Sequence, residues 1–262
     1  MGYERVRGGH RLKPEELIPD MLNWIKKYFE ENGDENTKAI VGISGGKDST
    51  ITAALLVRAL GPDRVIGVMM PNGEQHDIQV AKNVCKHLGI AWEYFNIHEI
   101  YKSYCDTLAI LDPDCTEQIA TNLPARIRMS ILYAVAAKYH GRVANTCNLS
   151  EDYVGYSTKF GDGAGDFSLL KGLTVSEIID IGIGLGLPEY MIKKVPEDGL
   201  SGKTDEDNLG FTYEVLDKLI LENEYPSMDI YEKIMKKHKA SRHKEEPMPT
   251  YYRYGYMCSY EF

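Results

Sequence analysis

Between residues 38 and 144, short apolar runs and helix-like stretches take turns along the chain, and that alternation restricts the fold more than any other property of the sequence. Lys38–Ile43 is a short apolar run that suits a buried strand, Arg64–Met70 and Ala91–Phe95 read as a second and a third strand, and Arg142–Ala144 is a brief fourth. Helical spacing fills the intervals: Asp48–Leu60, closed by Gly61-Pro62; Ile78–Leu88, capped by Gly89; and Thr116–Tyr139, with Pro124 near its first turns. Ahead of the first strand, Pro14–Phe29 carries Leu17, Met21, Leu22, Ile25 and Phe29 at helical intervals, with Pro19 as a point of bending. Strands linked through helices pair in parallel, so the expected class is α/β, a Rossmann-like parallel sheet with helices on both faces. Ligands of such sheets bind beyond the carboxyl ends of the strands, in the loops that lead into helices.

One of those loops is chemically distinctive. Gly42-Ile43-Ser44-Gly45-Gly46-Lys47-Asp48-Ser49 follows the first strand and opens a helix. Backbone N–H groups at a helix N-terminus cradle an anion, Gly45 and Gly46 allow close approach of phosphate, and Ser44 and Ser49 add hydroxyl donors. A Walker A loop would need Gly at 41 and Ser or Thr at 48, where this chain has Val41 and Asp48. An aspartate inside a phosphate loop repels the anion unless a divalent cation stands between them. A plain glycine turn capping a helix accounts for any single glycine here, but not for the whole octet after a strand.

Other segments carry weaker signals. Glu151–Gly172 and Pro196–Asn208 are glycine-containing, acidic and without periodicity, and read as long loops of the kind that often carry function. Helices are expected at Leu209–Glu222 and Met228–Lys239. The tyrosine-rich tail Thr250–Phe262 reads as an arm packing on the domain or on a neighbouring subunit. Five cysteines without a C-x-x-C pair (Cys85, Cys105, Cys115, Cys147, Cys258) suggest free thiols rather than a zinc or redox site. The polar first residues lack a signal-peptide core, and the longest apolar stretches fall short of a membrane span, so a cytoplasmic protein with no membrane partner is expected. With 30 Lys+Arg against 39 Asp+Glu, the formal charge of −9 argues against a nucleic-acid partner.

S-G-G-x-D-S after the first strand resembles the signature of the ATP-pyrophosphatase superfamily, whose members cleave ATP between the α- and β-phosphates and adenylate a substrate. Further segments, in order and spacing, resemble ammonia-dependent NAD+ synthetases: Asn122-Leu-Pro-Ala-Arg126-Ile-Arg128-Met129, Asn145-Thr146-Cys147-Asn148-Leu149-Ser150-Glu151, Gly155–Asp162 with Asp166 beyond, Lys203-Thr204-Asp205-Glu206 with Leu209-Gly210, and His243-Lys244. The likeness runs from about residue 14 to 249. It implies an adenine nucleotide alpha hydrolase-like sheet and a single synthetase domain over residues 1–262, without a fused glutaminase domain. The implied reaction is amidation of deamido-NAD+ with ammonia: the nicotinate carboxylate attacks the α-phosphorus of ATP, pyrophosphate leaves, and ammonia displaces AMP.

The resemblance also implies roles. Gly42, Ile43, Ser44, Gly45, Gly46, Lys47, Asp48, Ser49 and Thr146 would bind ATP, and Asp48 and Glu151 would hold Mg2+. Arg126, Lys159, Asp166, His243 and Lys244 would hold deamido-NAD+, with Asp48, Lys159 and Asp162 as the catalytic set. Asp162 could bind metal or take a proton from ammonium. On residue type alone, Glu151 is also a helix N-terminal acid, Arg126 a solvated helix residue and His243-Lys244 a basic patch. A homodimer is implied, and the apolar stretch Ile131–Ala137 permits a buried two-fold interface.

The chain departs from the family pattern at Met69, Val175 and Glu197, where a basic residue, a lysine and a Ser/Thr are usual, and Lys47 fills a position more often apolar or amide. Lys47 or Lys203 would then supply the missing charge, and Lys47→Ala is expected to raise the KM for ATP severely. Two alternatives stay open: a diverged ATP-pyrophosphatase amidating or thiolating another substrate, and a non-catalytic nucleotide-binding module.

Overall fold

The computed structural model describes residues 13–75, 78–109, 117–192 and 204–251. Five parallel strands, β1 (Lys38–Gly42), β2 (Val65–Met69), β3 (Ala91–Tyr94), β4 (Gly141–Asn145) and β5 (Phe167–Ser168), form one sheet in the order β3-β2-β1-β4-β5. β1 is central. The chain leaves it toward β2 on one side and later returns to pair β4 on the other, so the switch point lies between the carboxyl ends of β1 and β4.

Side-chain alternation along β1 and β2 assigns each face its helices. Ala39, Val41, Val65 and Met69 enter one cluster with α1 (Pro14–Glu31), α2 (Lys47–Leu60), α3 (Ile78–Leu88) and α7 (Val175–Gly184). Ile40, Ile66 and Val68 point the other way, against Met129, Leu132, Val135 and Ala136 of α5 (Glu117–Tyr139). Both faces are covered, which is why these strands read as unbroken apolar runs. α1 continues through Pro19 without interruption. In the stretch 131–137, Leu132, Val135 and Ala136 are buried on the sheet, leaving Tyr133, Ala134 and Ala137 exposed.

A third apolar cluster sits beyond the carboxyl ends. Val154 and Val175 pack there with Leu209, Phe211, Tyr213, Leu216, Leu219 and Ile234, which come from α9 (Asp205–Leu209), α10 (Tyr213–Glu222), α11 (Met228–Glu245) and the turn joining α9 to α10.

Several expectations are corrected. The segment 151–172 is not one loop: Glu151 lies in α6 (Leu149–Tyr153), and β5 adds a fifth strand. The helix expected over Leu209–Glu222 begins only at Tyr213, where Thr212 caps α10, and Asp205–Asn208, read as part of a loop, lies with Leu209 in α9, which Gly210 ends. α11 extends to Glu245, carrying His243 and Lys244. α4 (His98–Leu108), α7 and the short α8 (Glu189–Ile192) were not anticipated. Pro196, Glu197, Lys203, Cys115, Cys258 and the tail after Tyr251 lie outside the described residues. Cys85, Cys105 and Cys147 form no disulfide, and Cys85 and Cys147 are buried. Among the described residues, no helix is long and apolar enough to cross a membrane.

Candidate nucleotide site at the switch point

The loop after β1 is held open by its own side chains. Gly45 has φ +82°, and a β-carbon there would meet the Ala81 backbone nitrogen at 3.2 Å, so both its conformation and its neighbour at the start of α3 require glycine. The Ser44 hydroxyl accepts the Gly46 N–H at 3.1 Å and lies 3.1 Å from the Ser49 hydroxyl, which in turn donates to the Gly46 carbonyl. Ile43 is buried, with its N–H on the Val68 carbonyl at 2.9 Å. Gly46 is the N-cap of α2 and offers no side-chain acceptor, so the helix N-terminus faces the crevice with backbone donors.

The loop after β4 comes up beside it. Thr146 is half-buried just past the strand end. Asn148 caps α6 by accepting the Glu151 N–H at 2.9 Å, and its amide donates to Asp48 Oδ1 at 3.3 Å. That one side chain joins the two loops. Lys47 is only 4% exposed and donates to Asp48 Oδ2 at 2.9 Å. Its ammonium, though desolvated, is held above the ordinary lysine value by Asp48, Glu151 and Asp205. Glu151 is pushed well above the usual carboxylate range by desolvation and by the charge of Asp48, with Lys47 opposing.

Sequence reasoning assigned no role to two residues of this group. Asp205, the first residue of α9, is buried and faces both Lys47 and Glu151. Tyr213 opens α10, is 5% exposed, and has a hydroxyl with no hydrogen-bond partner. Burial, then Glu151 and Asp205, push that phenol far above its ordinary value. The signal for Asp205 was the Thr204–Asp207 capping box, which marks a helix start.

A second group lies between the middle of α5 and the end of α11. Arg126 is exposed and donates to the Lys159 carbonyl at 3.4 Å, while the Lys159 ammonium donates to the His243 carbonyl. Arg126, Lys159 and His243 therefore form a chain of neighbours. Phe160 between them is 70% exposed at φ +64°, an unusual backbone for an aromatic residue. The Lys244 ammonium is engaged by the carbonyls of Gly155 and Ser157, both at 2.7 Å, which anchors α11 over this loop. Asp162 accepts the Thr158 N–H at 2.9 Å, and its carbonyl accepts Asn145 Nδ2 and the Cys147 thiol. Burial, and then the charge of Asp162, push the Cys147 thiol well above its usual value.

Asp166 is held between the neighbouring strand and α5. Its carboxylate accepts the Val143 N–H at 2.7 Å and the Tyr133 hydroxyl at 3.4 Å, fixing the entry of β5 beside β4. Met69 is fully buried in the core. At the end of β2 the Arg128 guanidinium donates to the Met70 carbonyl at 3.0 Å and interacts with Asp162. Val175 is buried in the third apolar cluster.

A central strand, a glycine-rich loop at the switch point and carboxylates closing on it define an ATP-pyrophosphatase-type nucleotide-binding domain. The sequence profile of NAD synthase matches residues 17–252. The NH(3)-dependent NAD(+) synthetase of Methanococcus aeolicus is 40% identical over 211 residues, covering 79% of this chain and 82% of that protein. Among solved structures, the NMN synthetase from Francisella tularensis superposes with a TM-score of 0.83 at 33% identity, over 92% of this chain and 99% of that one. The NH3-dependent NAD synthetase from Campylobacter jejuni gives 0.72 at 26% identity, over 93% and 100%. The chain belongs to the NAD synthase family. The reaction that goes with this membership is a ligase reaction, ATP-dependent amidation of deamido-NAD+ to NAD+ through an adenylated intermediate.

Proposed function

We propose that this chain amidates deamido-NAD+ with ammonia at the crevice between β1 and β4. The observation that carries the reading is the Asn148 bridge, which brings the phosphate loop and the Glu151 helix to one centre. In this reading the loop N–H groups and the α2 N-terminus receive the triphosphate, with Thr146 beside it. Arg126, Lys159, His243 and Lys244 hold the dinucleotide, with Asp166 supporting the same side through Tyr133. Positioning supplies most of the rate in such phosphoryl chemistry, because the carboxylate must lie in line with the α-phosphorus. Asp162 takes the proton that ammonium must lose before nitrogen attacks.

Mg2+ fits the donor set. Asp48 and Glu151 are hard oxygen ligands, and Tyr213 supplies an unpartnered buried hydroxyl at their side. When bound, the ion neutralises charge on the triphosphate as pyrophosphate departs. Among the described residues, no three acidic, histidine or cysteine side chains form a ready-made ligand set, so nucleotide oxygens would complete the coordination. A cytoplasmic homodimer is part of the proposal, with the exposed Tyr133–Ala137 side of α5 as the surface to test.

The resemblance to an NMN synthetase favours a second reading, in which nicotinate mononucleotide is the acceptor. Chemistry at the carboxylate is then the same, and only the adenylate half of the dinucleotide is missing. Purified protein with ATP, Mg2+ and ammonium, offered each acid in turn, separates the two. A higher kcat/KM for deamido-NAD+ supports the first reading. A higher value for the mononucleotide supports the second, and no AMP from either acid refutes both.

A further inference from the structure

Lys47 has no ordinary reason to be buried. As the first residue of α2 it sits at the positive end of the helix dipole, where a cation is unfavourable and solvent is close at hand. Its side chain nevertheless folds inward, and the ammonium pairs with the next residue, Asp48, at 2.9 Å. Consecutive residues on a helix do not face one another, so both side chains must turn toward a common centre to meet. That centre is built by four elements: α2 brings Lys47 and Asp48, α6 brings Glu151, α9 brings Asp205, and α10 brings the Tyr213 hydroxyl, buried and unpartnered. The ammonium makes one ion pair, to Asp48, and the carboxyl groups of Glu151 and Asp205 face it from α6 and α9. Both oxygens of Asp48 are already engaged, one by Lys47 and one by Asn148.

We propose that the Lys47 ammonium is a tethered counter-ion that occupies the acidic centre of Asp48, Glu151 and Asp205 until nucleotide arrives, so that a divalent cation enters with the triphosphate and not before it. The inference rests on the reading of Asp48 and Glu151 as metal carboxylates. A metal ion approaching the empty crevice has to displace a desolvated ammonium from Asp48 and leave it without an anion, which is costly for a buried charge. The triphosphate removes that cost, because its oxygens are a new partner within reach of a flexible four-carbon stem. Lys47 then serves twice, as a placeholder for metal and as a phosphate ligand. The second role matters here because Met69 and Val175 are both buried in apolar clusters and bring no charge to the site.

Mn2+ binding to the full-length protein, followed by the electron paramagnetic resonance of free Mn2+, tests this without turnover or the second substrate. Wild-type protein is expected to bind Mn2+ at least tenfold more tightly with α,β-methylene-ATP than without nucleotide, after correction for Mn2+ held by free nucleotide. Lys47→Gln is expected to gain at least tenfold in nucleotide-free affinity, while Lys47→Arg, which keeps the charge, stays within about twofold of wild type. Equal wild-type affinity with and without the analogue overturns the proposal even if no variant folds. So does a folded Lys47→Gln protein with unchanged affinity. If Asp48→Asn leaves Mn2+ binding intact, the metal assignment fails and the inference with it. Failure to amidate deamido-NAD+ would alter none of these readings.

Discussion

Replacing Gly155 by alanine is expected to loosen α11 from the site by a calculable amount. Gly155 has φ +70°, and a β-carbon there would lie 2.0 Å from Ser241 Cβ and 2.6 Å from its hydroxyl, so the two segments cannot keep their present separation. The left-handed backbone costs about 1–2 kcal/mol for a residue with a side chain. Overpacking a close contact adds about 1–3 kcal/mol. At roughly 2–4 °C per kcal/mol for a chain of this size, the sum of roughly 2–5 kcal/mol lowers the unfolding midpoint by roughly 4–20 °C. The steric part can be isolated, because the next nearest atom after the Ser241 side chain is its α-carbon at 3.5 Å. In a double-mutant cycle, Ser241→Gly should restore about 1–3 kcal/mol in the Gly155→Ala background beyond its own effect on wild type. Thermal unfolding followed by far-ultraviolet circular dichroism reads all four proteins. A Gly155→Ala loss under about 1 kcal/mol, or no coupling to Ser241, would refute the reasoning. The variant should also raise the KM for deamido-NAD+, since α11 carries His243 and Lys244.

Asp152 is buried, and burial, followed by Glu245, raises its pKa from 3.8 to about 6 against the pull of Lys171 at 3.6 Å. The folded protein thus holds this proton more tightly than the unfolded chain, and the stabilisation is complete below about pH 4 and lost as pH rises through about 6. Asp152→Asn should flatten the unfolding midpoint across that window; a variant keeping the full slope would exclude Asp152 as its source. Asn148→Ala removes the α6 cap and the bridge to Asp48, and should cost about 1–2 kcal/mol in a denaturant titration, whereas Asn148→Asp keeps the cap. Gly45→Ala should abolish most of the thermal shift that ATP produces, because the loop must move from Ala81 to admit a methyl group; an undiminished shift would contradict the role of that loop.

The sheet was legible because its signals are local. Lys38–Ile43 and Arg64–Met70 are apolar on both faces, and Gly61-Pro62 and Gly89 punctuate the helices between them. α4 was not, because none of its residues is buried and its surface pattern carries no core stripe. α7 was missed although Thr174 and Glu177 form a complete capping box at its start, a signal obscured by Gly182 and Gly184 in its last turn. The phosphate loop announced itself by composition and by its position after a strand. Asp205 and Tyr213 did not, since their meaning depends on α9 and α10 folding back over α6 from more than 50 residues away in the chain. The Arg126–Lys159–His243 chain is likewise tertiary: it joins three segments whose spacing in sequence says nothing of contact.

The central claim is that this crevice joins the nicotinate carboxylate to the α-phosphorus of ATP before ammonia enters. Deamido-NAD+ labelled with 18O in both carboxylate oxygens tests it in a single turnover with ATP, Mg2+ and ammonium. Attack by the carboxylate and displacement by ammonia leave one labelled oxygen in the product amide and carry the other into AMP. Mass spectrometry should therefore find AMP heavier by one 18O and pyrophosphate unlabelled. Unlabelled AMP formed alongside NAD+, or label in pyrophosphate, would contradict the account.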